Sequence, residues 1–151
     1  MSKTVWGPIT WKFLHTMIAK LRPEHFREQR NSLIQLIKGT CETLPCPDCR
    51  MHAIQNIRRA RLDLITSKDN LVNFLFEFHN LVNKQTRKQE YSKDVLKKYD
   101  DLETGKVVNE FAYTYSTVSS NVKLMTDNFH RQRFLVWLRE YLINNGRCFK
   151  P

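Results

Sequence analysis

Apolar positions return every third or fourth residue over most of this chain, and the returns are broken by proline. Pro8 opens a stripe of Trp11, Leu14, His15 and Ile18 that predicts a helix over residues 8–21, closed by Pro23. From Pro23 a second stripe of Phe26, Leu33, Ile34, Ile37 and Cys41 runs until Pro45 stops it. Cys49, Ala53, Ile57 and Ala60 share one face of a third helix, over residues 46–61, that begins at the Cys46-Pro47-Asp48-Cys49 motif itself. Ser67, with Asn70 nearby, can cap a fourth, in which Leu71, Leu75, Phe78, His79 and Val82 repeat with a period near 3.6. Phe74, Phe76 and Leu81 make that helix apolar almost all round, which places it at the centre of the core.

Ser92 to Tyr99 reads as a short fifth helix, and Asp100 to Gly105 as a connection. The character then changes. Val107 to Val118 is β-branched and alternating, without a helical period, and predicts an irregular or two-stranded piece; Phe129 to Ile143 carries Phe134, Leu138, Tyr141 and Leu142 as the stripe of one further helix. There is no internal repeat or low-complexity segment.

Composition agrees with an all-α reading. A chain of 151 residues, 41% apolar and 11% aromatic, with 4 Gly and 5 Pro, is too hydrophobic for disorder and too poor in turn formers for a β-sandwich. The net charge of +10 suits an anionic partner, but Arg58-Arg59-Ala60-Arg61 and Lys84 to Lys88 read as solvated helix faces, so nucleic acid is not the expected partner. No stretch approaches the roughly 18 apolar residues of a membrane span, and Lys3, Lys12, His15 and Lys20 interrupt the N-terminal segment where a signal peptide would lie. In a reducing compartment the four cysteines, Cys41, Cys46, Cys49 and Cys148, are expected to be catalytic, metal-binding or inert rather than structural.

A CxxC that opens a helix brings two sulfurs within bridging range, and the free N–H groups and dipole of the helix start favour a thiolate. Pro47 fits the first turn because it has no N–H to lose there. A thioredoxin-like protein would need βαβ units that the pattern lacks. Zinc is the sharper rival, since Cys41, Cys46, Cys49 and His52 offer Cys3His ligands at short spacing. The basic charge would then mark a zinc-stabilised helical module that binds nucleic acid or an acidic partner. Against it, Cys41 lies on the second helix's stripe, and no second CxxC or CxxH pair follows.

Residues elsewhere shift the balance. Trp11 and His15, four apart, share a face of the first helix, while His79, Asn80 and Asn83 put an imidazole and two amides on the fourth. Each taken singly is an ordinary core residue. Together they supply flat walls and polar edges for a large planar cofactor.

Three blocks then occur in order: Trp6-Gly7-Pro8-Ile9-Thr10-Trp11-Lys12-Phe13-Leu14-His15, Leu44-Pro45-Cys46-Pro47-Asp48-Cys49-Arg50-Met51-His52-Ala53, and His79-Asn80-Leu81-Val82-Asn83 with Lys88 and Tyr91. With these the chain resembles the Erv/ALR family of FAD-linked sulfhydryl oxidases over about residues 6–100, most of all the versions encoded by large cytoplasmic DNA viruses. The resemblance implies a homodimeric four-helix bundle with a short fifth helix and noncovalent FAD, residues 1–101 forming the core and 102–151 an extension packed on or near it, not an independent domain. It implies cofactor contacts from Gly7, Trp11, His15, His79, Asn80, Val82, Asn83, Lys88 and Tyr91, with Phe74 where relatives often place a tryptophan. It gives Cys46 to substrate exchange and Cys49 to the flavin. The implied reaction makes disulfides in protein thiols or in a small thioredoxin-like redox partner, with molecular oxygen as acceptor and hydrogen peroxide as product, and the implied setting is the host cytoplasm or the virion. Two features common in relatives, a shuttle CxxC in a flexible arm and a further structural disulfide, are not visible. Cys41 is expected to be free and buried.

Overall fold

The computed structural model describes residues 3–117 and 125–151. They form seven α-helices: α1 (Lys3–Lys20), α2 (Phe26–Glu42), α3 (Pro47–Arg59), α4 (Lys68–Gln85), the single turn α5 (Lys97–Asp100), α6 (Thr104–Ser116) and α7 (Met125–Asn145). Among the described residues there is no β-sheet, only an isolated antiparallel bridge between Leu21 and Phe149.

The local signals act largely where the sequence puts them. Ser67 accepts from the Asn70 amide at 3.1 Å and starts α4. Cys46 caps α3 in the same manner, its Sγ accepting from the Cys49 amide at 3.2 Å with Pro47 in the first turn. Basic side chains close other helix ends: Lys68 Nζ donates to the carbonyls of Ala19 (2.9 Å) and Leu21 (2.7 Å) at the end of α1. Arg30 likewise binds the carbonyls of Leu62 and Ile65, both at 2.7 Å, in the turn before α4.

Helix α1 is the hub. It packs against α4, α5 and α6, while α2 packs against α3 and α7, and the fully buried Phe13, Met17, Leu21, Leu33, Leu36, Leu71 and Phe111 fill the space between. Phe13 stacks on Phe111 with ring centroids 3.9 Å apart and planes 4° from parallel. On α2, Gly39 lies beneath the Phe134 ring so closely that a Cβ there would stand 2.6 Å from it, and α7 docks over this gap. The C-terminus is tacked onto the end of α1 by backbone bonds from Arg22 N to Cys148 O (2.8 Å) and from Lys150 N to Lys20 O (2.7 Å).

Four expectations are corrected. Helix α1 begins at Lys3, so Pro8 lies inside it rather than in its first turn, where its missing N–H removes one bond of the helix ladder. Pro23 opens a 3-10 turn, and α2 proper starts at Phe26. The tail holds two helices rather than one, because the segment read as irregular is α6: Val107, Phe111, Thr114 and Tyr115 are buried at spacings of four, three and one, and packing on α1 overrides the β-branched composition. Val118, at the end of that reading, lies outside the described residues. Finally, α4 is not buried all round, since Phe74 and Phe76 are half-buried and Leu81 is 41% exposed.

Candidate functional site: a ring-lined cavity beside the CxxC

Because α1 and α4 pack side by side, the aromatic and imidazole positions of the two helices meet. Trp11 stacks on His79 at 3.9 Å with planes 8° apart, His15 Nε2 lies 3.0 Å from His79 Nδ1, and Tyr99 of α5 stacks on the far side of His15 at 4.8 Å. Burial holds both imidazoles neutral. It lowers His15 to about 3, helped by the neighbouring His79 and Lys98, and His79 to about 4, helped by Lys98 and Lys88. One ring must therefore donate and the other accept.

This stack forms one wall of a cavity of about 880 Å³, within the range that accommodates sizeable organic ligands. Gly7 and Trp11 contribute from α1, Cys49 and His52 from the first turns of α3, and Val82 and Asn83 from α4, with Lys88 and Tyr91 beyond it. Cys49, at the third position of α3, faces the cavity, whereas Cys46, the cap, does not line it. Burial, then the hydrogen bond with Cys46, raises the Cys49 thiol to about 11, against a smaller opposite pull from Lys3 and its own backbone amide. For Cys49, desolvation thus outweighs the helix start that was expected to favour a thiolate.

Other expected site residues stand back from this cavity. His15 faces a second, smaller one of about 200 Å³, on the other side of the Tyr99 ring that borders both. Phe74 lines neither and packs on Phe78 at 6.1 Å. Asn80 is a brace: its Nδ2 donates to Tyr91 O at 2.9 Å and its Oδ1 accepts from Tyr91 N at 2.8 Å, fixing the strand of loop that carries Tyr91 to the cavity edge. Gly7 has room for a Cβ, with nothing nearer than 3.9 Å.

The charged residues that sequence reasoning missed are mostly cations. Lys3, Lys12 and Lys98 join Lys88 around the cavity, with Asp48 the acidic residue among its walls. Lys3 lies one turn before Gly7, so helical spacing was the available signal for it, whereas Lys98 and Tyr99 had none. Aromatic walls, amide edges and an excess of lysine suit a large, partly planar anion, the chemistry of a flavin joined to a diphosphate. The donor set for zinc does not gather: among the described residues the three-ligand cluster lies elsewhere, at His25, Glu28 and Cys148. All four cysteines are free, Cys41 and Cys148 being buried, and burial raises Cys41 to about 12.

Comparison with known proteins bears on the same segment. A putative FAD-linked sulfhydryl oxidase of Invertebrate iridescent virus 3 is 33% identical over 97 residues, 63% of this chain and 66% of that protein. An FAD-linked sulfhydryl oxidase of African swine fever virus is 34% identical over 84 residues, 56% of this chain and 70% of its own length. One from Saccharomyces cerevisiae is 28% identical over 95 residues, 62% of this chain and 48% of the relative. The chain thus spans about two thirds of the length of these two viral relatives. No solved structure matches it significantly. The family model described as Erv1 / Alr matches residues 8–101, from Pro8 through the CxxC to the turn after α5 and more than half of the chain, which therefore belongs to the Erv1 / Alr family.

Proposed function

We propose that this chain is an FAD-linked sulfhydryl oxidase, in which the Cys46–Cys49 pair takes electrons from thiols and delivers them to a flavin held in the ring-lined cavity. The observation that carries the reading is that Cys49 lines the same cavity as the Trp11 and His79 stack, with Cys46 one turn away and outside the lining. The relatives' names supply the activity and the cofactor.

In this reading Trp11, His79, Val82 and Asn83 bind the ring system, Lys88 and Tyr91 close the pocket, and Lys3, Lys12 and Lys98 balance the phosphates. His15 acts behind His79, fixing its ring through the 3.0 Å contact, and Asn80 acts through the Tyr91 loop. Gly7 and Phe74 belong to the same proposed binding set, with Phe74 supporting Phe78 from behind.

A substrate thiolate attacks Cys46 Sγ of the disulfide form, the Cys46–Cys49 bond breaks, and Cys49 leaves as a thiolate facing the cavity. A second substrate thiolate attacks the substrate sulfur of the mixed disulfide, releasing the product disulfide and Cys46. Bound FAD supplies the two-electron acceptor that restores the Cys46–Cys49 disulfide and passes electrons to molecular oxygen, with hydrogen peroxide as product. Cys49 is half-buried and its burial disfavours the thiolate, so the charge it takes on leaving is eased by a positive neighbour, and Lys3 is a cation whose charge acts in that direction.

The substrate class we propose is reduced protein cysteines or a small thioredoxin-like carrier, reached directly by Cys46. The working assembly is a homodimer built on a core of residues 1–101 with 102–151 as its extension, acting in the host cytoplasm or the virion. Family membership and the largely viral relatives support these points, and no helix among the described residues is long and apolar enough to cross a membrane. Oxygen consumption with a dithiol substrate tests the reading. Cys46→Ser and Cys49→Ser should each reduce turnover to background while the flavin stays bound, and full activity in either variant would remove the pair from the reaction.

A further inference from the structure

The outer end of α7 reaches the redox motif. Asp127 Oδ2 lies 3.2 Å from Arg50 Nη2, and both side chains are largely shielded, with exposures of 26% and 19%. Arg50 follows Cys49 directly, and its other terminal nitrogen, Nη1, donates to the carbonyl of Leu44 at 3.2 Å. One guanidinium therefore spans the motif, from the residue after it to the residue two before it, and is gripped by the extension.

A second guanidinium makes Asp127 more than a surface partner. Arg131, four residues along the same face of α7, is 1% exposed; among the described residues its Nε and Nη1 have no hydrogen-bond partner, and Nη2 donates to Asn128 Oδ1. Asp127 attracts this buried charge, whereas Arg50 repels it. Asp127 is thus paired directly with Arg50 and attracts Arg131 at longer range. Without it Arg50 and Arg131 repel across a poorly solvated gap, and Arg50 is the one free to leave for water.

We propose that the C-terminal extension is a positioning element for the redox pair: Asp127 holds Arg50 on the Leu44 carbonyl, and this clamp fixes the turn that sets Cys46 as the cap of α3. The idea rests on the oxidase reading for its purpose but not for its geometry. The consequence falls on Cys46, because its Sγ accepts the Cys49 amide only while the Leu44-Pro45-Cys46 turn keeps its course. An N–H at a helix start stabilises negative charge on the acceptor it donates to, so loosening the clamp slows attack of the Cys46 sulfur on an electrophile.

The test is alkylation of the reduced full-length protein by N-ethylmaleimide at neutral pH, with Cys46 followed by mass spectrometry, on Arg50→Gln, Asp127→Asn and Asp127→Glu. Arg50→Gln and Asp127→Asn should slow Cys46 by about 1.5-fold to 2.5-fold, and Asp127→Glu should restore most of the rate. Arg50→Gln should keep the wild-type melting temperature, since it also removes the charge that opposes Arg131; it decides alone if Asp127→Asn does not fold. An unchanged or faster rate in Arg50→Gln, or no recovery with Glu at 127, overturns the proposal. The readout needs neither flavin nor oxygen, so a protein without oxidase activity refutes the functional reading and leaves this one to be judged on its own.

Discussion

Helix α1 presents two faces to two very different regions. On one side Trp11 meets α4 through an imidazole stack that leaves a cavity of about 880 Å³. On the other Phe13 meets α6 through a ring stack with no exposure at either residue. Both contacts are 3.9 Å ring pairs, so stacking geometry does not separate them. What separates them is the company: Trp11 stands among lysines, amides and a thiol, whereas Phe13 stands among Met17, Phe111 and other apolar side chains. The comparison teaches that an aromatic residue on this helix lines a cavity only where polar groups keep the facing side open.

The sharpest way to break the comparison is to truncate the closed face. Phe111→Ala removes a fully buried ring and should cost about 3–5 kcal/mol of stability, read by urea unfolding, with the loss falling on folding rather than on flavin affinity in the fraction that stays folded. Gly39→Ala is a milder test of the same region. Its new methyl would press on Phe134, and overpacking of this kind costs about 1–3 kcal/mol, seen as a lower melting temperature with little change in bound flavin. The open face should answer to acid instead. His15 and His79 ordinarily titrate at 6.5 but are held near 3 and 4 in the folded state, so an unfolded chain binds more protons between those values. The neutral pair's contribution to stability is complete above pH 6.5 and is lost progressively as pH falls from 6.5 towards 4. At pH 6 this loss amounts to about 1–2 kcal/mol, and a urea midpoint that stays flat from pH 7.5 to 5 would show that the pair is not buried neutral.

Most of the bundle could be read from the chain because its helices announce themselves twice, once by period and once by cap. Ser67 and Cys46 start α4 and α3 where the stripes begin. Helix α6 had a period too, in Val107, Phe111 and Tyr115, but its threonines, valines and tyrosines are strand formers by composition. Only the packing surface of α1 decides between the two, and that surface is not local information. The same division runs through the site. Trp11 and His79 were legible as a pair of helical faces, whereas Lys98 and Tyr99 were not, because they come to the cavity by the docking of α5 against α1. Asn80 was singled out as one polar edge among several; that its amide braces the Tyr91 backbone depends on how the loop returns. The CxxC illustrates the converse limit. Its position at a helix start was plain, yet the protonation of Cys49 is governed by burial that the helix start does not reveal.

Absorbance of the purified full-length protein tests the account most directly. It predicts a yellow protein with about one flavin per chain, whose flavin absorbance is bleached by dithiothreitol without air and returns when air is admitted. A colourless protein that neither binds FAD nor consumes oxygen with a dithiol would contradict it.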